Sequence, residues 1–421
     1  MSTNSAATTR AKEVIARCKT LATFSEDSRG IRRTFLSLPM RDCHRELAKW
    51  LVAAGAETRI DAAGNLRAFY VAEEPSAPRL LLGSHLDTVP NAGTYDGVLG
   101  VVIAVALLEN LERRRLPFGI EVVGFSEEEG VRFGAPFIGS RALVGRLDEA
   151  FLDCQDRNKI SIRTAIKDFG LDATEIPNAM ISEDTLAYLE FHIEQGPVLD
   201  SLGLPLGVVE AIVGQTRIEF VFVGHTNHAG TTPMHLRHDA VVGAAEWIVA
   251  VERAAQSEPG LVATVGQIEA VPGTTNVIPG EAHASLDLRH PSDEIRLRAA
   301  KVLTELAEEI AERRGLTVQK SKLLSQAAVE MDGFLVGEIE NAMRVAGCQP
   351  RRMVSGAGHD AMILAEKVPA AMIFLRSPGG ISHDPAESIL LEDVAKAIEC
   401  GSHLLEQLAS SSEFQKRMCR A

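Results

Sequence analysis

Two carboxylates and a histidine crowd the stretch GSHLDTVPNAGTYDGVLG, Gly83 to Gly100, straight after the apolar run Leu80-Leu81-Leu82. His85, Asp87 and Asp96 are costly to gather in a half-buried place unless something charged holds them. The same grammar recurs three times: EVVGF ends in SEEEG with Glu127, Glu128 and Glu129, LAYLEF ends in HIEQG with His192, and AAMIFL ends in RSPGGISHD with His383. Ligating side chains therefore collect where apolar strands stop, and open α/β sheets place their sites at those carboxyl edges. The expected cluster is His85, Asp96, Glu128, Glu129, His192 and His383. Three imidazoles and three carboxylates suit borderline divalent ions such as Zn²⁺, Mn²⁺, Co²⁺ or Ni²⁺. Six groups exceed what one four-coordinate ion with an open position takes. They suit two ions sharing a carboxylate, with one carboxylate left for proton transfer. In His85-Leu86-Asp87, strand alternation puts both polar side chains on one face, where Asp87 can orient the imidazole. Each motif alone has a plainer reading: a solvated turn for HxD, an exposed acidic run for Glu127–Glu129, a core histidine for His192. Their shared position after an apolar run is what favours the metal reading. GVLGVV (Gly97–Val102) lacks the GxGxxG or GK[ST] pattern of a phosphate loop.

The elements that must position these groups are legible in part. Ala11–Phe24 and Arg41–Ala54 read as amphipathic helices, the second stopped by Gly55. Strand-like runs follow at Glu57–Ile60, Leu66–Val71 and Arg79–Gly83, then a helix over Val98–Arg115 and a strand over Ile120–Phe125. Strands alternating with helices predict an α/β domain with a partly parallel sheet. After Pro205 the character changes. Two-fold alternation in RIEFVFVG, a helix over His238–Gln256, LVATVGQIEA, HASLDLRH and a helix over Asp293–Arg314 give β-α-β-β-α, a small four-stranded α+β unit. Helix and strand then return at Gly333–Ala346, Ala370–Leu375 and Leu391–Leu408. The expected organisation is a catalytic domain over residues 1–213 and 327–421, interrupted by an inserted domain over 214–326.

Composition narrows the class. Apolar residues make up 46% and charged residues 24%, ordinary for a soluble globular protein, and the net charge of −14 argues against nucleic-acid binding. An anionic substrate would need a local cation. Six scattered cysteines without a CxxC pair, no apolar leader and no apolar run of transmembrane length point to a cytoplasmic protein without membrane association.

GSHLDTVPNAGTYDG, FSEEEGVRFG, EFHIEQGPVLD, NHAGTTPM, TTNVIPG, LDLRH, SGAGHDA and GISHDPAE together resemble the amidase, hydantoinase/carbamoylase group of the aminoacylase-type dinuclear metallohydrolases, from Phe24 to Leu408. The resemblance implies an α/β catalytic domain with a mixed sheet and an inserted α+β lid, through which two subunits form a homodimer. It implies two divalent ions per subunit, Zn²⁺ or Mn²⁺ with Co²⁺ or Ni²⁺ also accepted. One ion would take His85, Asp96 and His192, the other Asp96, Glu129 and His383. Asp96 would bridge, Glu128 would be the general base and Asp87 the orienting carboxylate. His192 departs from the peptidase branch, where a carboxylate usually stands. Substrate contacts implied are His228, Asn276 and Arg289 from the lid, Gln195 and Gly358 from the catalytic domain, and Gln215. Asn276 before Val-Ile-Pro-Gly and Arg289 in a strand also have plain readings, as a turn residue and a surface ion-pair partner.

The implied substrate is a small anionic ureido compound, bound through its carboxylate at Arg289, with His228 stabilising the oxyanion on lid closure. FSEDSRGIRRTFLS and SIRTAIKDFGLD resemble allantoate amidohydrolases more than simple carbamoylases. Allantoate is therefore the expected substrate. The alternatives are an N-carbamoyl-L-amino acid, ureidoglycolate or β-ureidopropionate, and more distantly the amides cleaved by aminoacylases and dipeptidases.

Overall fold

A computed structural model describes residues 2–419. The chain divides into two compact units, one of Met1–Glu210, Met331–Met353 and His359–Ala421, the other of Ala211–Glu330 and Val354–Gly358.

In the first unit a mixed sheet runs in the order Glu57–Ile60, Leu66–Tyr70, Gly119–Phe125, Arg79–His85, Thr185–Ile193, Ala370–Leu375, Leu206–Ile212. Four of these strands are mutually parallel neighbours: Gly119–Phe125 with Arg79–His85, that strand with Thr185–Ile193, and Thr185–Ile193 with Ala370–Leu375. Their carboxyl ends therefore lie along one edge, with His85 opposite Phe125 and Leu375 opposite Ile193. All four are buried almost throughout, as strands covered on both faces must be. The helix Val98–Asn110 is apolar on every side, and its residues from Val98 to Leu108 are buried. Leu38–Ala54 starts at Ser37, whose side chain accepts from the Met40 amide, and stops at Gly55 in the left-handed region at φ 105°.

Two helical boundaries differ from the sequence reading. The first helix spans Ser2–Ala22, so it begins well before Ala11 and stops short of Phe24. The apolar helix ends at Asn110, not Arg115, because Glu112 and Arg113 take positive φ and turn the chain toward Pro117.

The second unit carries a five-stranded antiparallel sheet. Ile268–Val271, Glu281–His290, Gly214–Val223 and Thr317–Gln326 are adjacent in that order, and Val262–Thr264 also pairs with Glu281–His290. LVATVGQIEA thus yields two short strands, and the polar segment Thr317–Gln326 adds a further one. Ile218, Phe220, Phe222, Ala282, Ala284, Leu286 and Leu288 face the helices Ala240–Ser257 and Asp293–Arg313. Trp247 fills the centre of this core and donates its indole N–H to the Leu303 carbonyl at 2.9 Å. Alternation then sends Gln215, Arg217, Asp287 and Arg289 to the opposite face. No described helix is long and apolar enough to cross a membrane.

Candidate metal centre

The carboxyl edge of the four parallel strands gathers the ligating groups. His85 is the last residue of its strand, and His192 the last but one of its own. One nitrogen or oxygen from each of His85, Asp96 and His192 lies within 4.8 Å of the others, and the same holds for Asp96, Glu129 and His383 and for His85, Glu128 and Glu129. Asp96 is the common member of the first two sets. Its Oδ1 stands 3.4 Å from His192 Nε2 and 3.7 Å from His85 Nε2, and its Oδ2 stands 3.2 Å from His383 Nε2. His383 Nε2 is also 3.5 Å from Glu129 Oε1.

Backbone contacts fix the tautomers. His192 Nδ1 donates to the Ile193 carbonyl at 2.9 Å, and His85 Nδ1 to the Asp87 carbonyl at 3.0 Å. Carbonyls only accept, so each Nδ1 carries the proton and each Nε2 lone pair faces the cluster. Asp87 does more than stand beside His85. Its Oδ1 accepts the Glu128 amide at 2.8 Å and its Oδ2 the Glu129 amide at 3.0 Å. One buried carboxylate thus aims both glutamates. Glu127 is turned away from the cluster, its carboxylate accepting from the amides of Phe35 and Arg132.

The approach between Asp96 and His85 is permitted by Gly97. Its φ is +66°, and a Cβ there would fall 2.4 Å from the His85 ring. Two non-glycine residues at the centre, Gln195 and His383, also hold φ near +60°, a strained conformation of the kind found where geometry serves chemistry.

Electrostatics reflect the crowding. Burial pushes the Glu128 carboxyl well above its usual range, with the Glu129 charge adding to it, and burial pushes Glu129 up to about 7. Asp96 goes the other way: burial opposes its ionisation, but hydrogen bonding to His383 and His85 holds it well below the ordinary value. Burial lowers His192 to about 4. For His85 burial also acts downward, yet contact with Asp87 and Asp96 carries it well above its usual range. Among the described residues no lysine or arginine pairs with Asp96, Glu128 or Glu129. Holding Asp96, Glu128 and Glu129 ionised together would take a cation beyond the histidines, and imidazole with carboxylate donors fits a pair of divalent ions.

Of the expected substrate contacts, Gln195 belongs to this cluster. Its Nε2 donates to both oxygens of Asp96 at 3.1 Å. The others fall in the second unit as two groups. His228 lies in the short strand Asn227–His228 opposite Val277, and the Ala229 amide donates to the Asn276 carbonyl at 3.0 Å. Gln215 and Arg289 are cross-strand partners joined by Asp287, which accepts from Gln215 Nε2, from Arg217 Nε and from Arg289 Nε and Nη2. Gly358 groups with the second unit rather than with the catalytic part assigned to it from the sequence. Its segment Val354–Gly358 includes Gly356, whose carbonyl accepts from Arg289 Nη1 at 2.7 Å.

Sequence reasoning missed Glu190 and left His359 without a task. Glu190 is fully buried two residues before His192 and accepts from Ser84 Oγ, Tyr188 OH and the Ala361 amide. The signal was a glutamate inside an otherwise apolar strand. His359 packs edge-on against His192 at 4.5 Å and against Phe374 at 5.7 Å.

Residues 81–407 match the model of Peptidase family M20/M25/M40. An N-carbamoyl-L-amino acid amidohydrolase of Geobacillus stearothermophilus is 39% identical over 91% of this chain and 95% of its own length. An allantoate deiminase of Arabidopsis thaliana is 36% identical over 94% of this chain and 82% of its own. The crystal structure of an amidase of the hydantoinase/carbamoylase family from Burkholderia multivorans superposes with a TM-score of 0.89 at 28% identity, covering 97% of this chain and 98% of that one. Buried histidines and carboxylates at one sheet edge, and relatives that are amidohydrolases along nearly their whole length, lead to one assignment: the chain belongs to Peptidase family M20/M25/M40 and, within it, to the hydantoinase/carbamoylase group of amidohydrolases, which cleave carbon–nitrogen bonds other than peptide bonds.

Proposed function

We propose that the protein cleaves the ureido C–N bond of allantoate, with two divalent ions held by His85, Asp96 and His192 and by Asp96, Glu129 and His383. Residues 214–326 would serve as its lid and dimerisation domain. The observation that carries this reading is the sharing of Asp96 by two sets of ligands within 4.8 Å, beside a buried Glu128 left over for proton transfer. Divalent ions at this place would polarise the ureido oxygen and acidify a water.

A ureido carbon is a poor electrophile because both nitrogens donate into the carbonyl. Cleavage therefore needs a nucleophile stripped of its proton and a leaving nitrogen that regains one. Glu128, its proton affinity raised by burial, takes the proton from water and returns it to the departing nitrogen. Water adds to the carbonyl carbon, the bond to the terminal nitrogen breaks, and ammonia leaves. The remaining carbamate loses CO₂ and yields a free amine. His228 is suited to stabilise the oxyanion. The amides of Gly230 and Thr231 donate to its Nδ1 at 3.0 and 3.2 Å, so Nε2 carries the proton and is a donor.

Arg289 suits the substrate carboxylate. Asp287 and the Gly356 carbonyl take three of its five N–H groups and hold the guanidinium in place. One N–H on each terminal nitrogen remains for a two-point grip on a carboxylate. Arg289→Ala is expected to raise KM about 10- to 100-fold, the worth of a charged hydrogen-bonded pair, with kcat changed much less. Steady-state kinetics checks this, and an unchanged KM would take Arg289 out of the substrate site.

Protons should also report the ligand set. Glu129 titrates at about 7 instead of 4.5, so in the metal-free protein its protonated form is favoured by folding. That contribution is lost as pH rises from the unfolded value toward about 7, and metal uptake competes with the same proton. Binding of Mn²⁺ is therefore expected to release more protons at about pH 6 than at about pH 8. Calorimetry in buffers of different ionisation heat measures the difference; equal release at both would argue against Glu129 as a ligand.

A second reading, hydrolysis of an N-carbamoyl-L-amino acid, is favoured by the 39% identity to an enzyme of that name. Both substrates present a ureido group beside a carboxylate. Ammonia release from allantoate and from several N-carbamoyl-L-amino acids, compared by kcat/KM with Mn²⁺ or Zn²⁺ supplied, tests the proposal. Turnover of the carbamoyl amino acids alone would replace allantoate as the substrate.

A further inference from the structure

We propose that Glu387 is a positioning residue of the metal centre, a buried carboxylate that ties the loop bearing Asp96 to the loop bearing His383. The inference rests on the two-metal reading above. GISHDPAE was notable for its histidine, and its closing glutamate had no role. In the fold, Glu387 is 6% exposed, and its Oε1 accepts from the amide of Tyr95 at 2.8 Å and from that of Asp96 itself at 3.2 Å. Its Oε2 accepts from Ser382 Oγ, next to His383, at 3.4 Å. A turn closed by the Glu387 amide on the Asp384 carbonyl at 3.0 Å fixes the carboxylate's own loop.

The Asp96 loop is folded around this group. A Cβ at Gly93 would come within 2.3 Å of the Glu387 carboxyl, so only glycine lets the backbone pass so close. The two side chains held from behind, Asp96 and His383, meet in front at 3.2 Å. They arise 287 positions apart in the chain, on loops that share no strand pairing with each other. Backbone amides can only donate, so the amides of Tyr95 and Asp96 lose their acceptor if the carboxylate is removed. Asp96 would then be free to turn, and His383, on a half-exposed loop at positive φ, would lose its reference.

Calorimetric titration of the metal-free protein with Co²⁺, together with the visible absorption of the bound ion, tests this directly. Wild type is expected to take two equivalents. Glu387→Ala is expected to weaken the equivalent that uses both Asp96 and His383 about 10- to 100-fold and alter its absorption, and the equivalent that uses Asp96 without His383 by only a few-fold to about tenfold, as for loss of a group that orients a ligand. Glu387→Gln keeps an oxygen that can accept from both amides, so it is expected to lie between the two. A purely packing role would lower thermal stability in both variants without separating the two equivalents. If the alanine variant does not fold, the affinities of the glutamine variant decide, with a few-fold loss at one equivalent expected. Two equivalents bound with wild-type affinity and absorption in the variants would overturn the proposal alone. Fewer than two in wild type would overturn the two-metal reading and the proposal with it.

Discussion

Glu128→Gln is expected to lower kcat by about 10²- to 10⁴-fold while metal content and KM stay close to wild type. Glutamine keeps the shape of the side chain and the backbone clamp, in which Asp87 accepts the amides of residues 128 and 129 at 2.8 and 3.0 Å. What it loses is the ability to take a proton. Burial and the neighbouring Glu129 push the Glu128 carboxyl well above its usual range, which strengthens it as a proton acceptor. Kinetics and metal analysis on the same preparation separate the possibilities. A kcat within a few-fold of wild type would remove Glu128 from proton transfer, and parallel loss of metal would make it a ligand.

Asp96→Ala is expected to abolish tight binding of both ions, not one. Its carboxylate is the only group in both ligand sets, and three histidine Nε2 atoms lie between 3.2 and 3.7 Å from its two oxygens. Since bound ions supply several kcal/mol of transition-state stabilisation, kcat/KM should fall by about 10³-fold or more. Metal analysis after desalting is the decisive measurement: a variant that retains one tightly held ion would show that Asp96 does not bridge. His85 should respond as well, because Asp96 helps to hold its proton affinity up.

Much of this centre is legible in the sequence. Four apolar runs ending in His, Asp or Glu can be read from the letters alone, because a strand buried on both faces must be continuously apolar and must stop where charge begins. The parallel order of those runs, which turns four endings into one edge, was not legible. Two of its three pairings join residues more than a hundred positions apart, such as Ala371 with Leu189. Thr317–Gln326 illustrates the same limit from the other side. TVQKSKLLSQ has no apolar period and buries none of its residues fully, yet it is a strand, because Gly214–Val223 offers it a row of backbone partners.

The groups that support the ligands were hidden for a related reason. Asp87 was expected to orient His85, and it lies beside that ring, but its carboxylate also grips the backbone of Glu128 and Glu129. Glu190 and Glu387 act through backbone amides and hydroxyls brought to them by other loops. Hydrogen bonds to backbone leave no trace in residue type, so no motif announces them.

By itself the sequence determined the chemistry available: the kinds of donor, their attachment to strand ends, the arginine and histidine of the inserted segment, and the acidic surface that makes a local cation necessary. The tertiary structure decided which donors meet. It made Asp96 common to two sets, turned Glu127 away from them, brought Gln195 onto Asp96 and placed a buried carboxylate behind the two loops. The reason is physical: side-chain chemistry is a property of each residue, whereas a distance of a few ångströms between residues far apart in the chain exists only after the backbone has closed the loops between them.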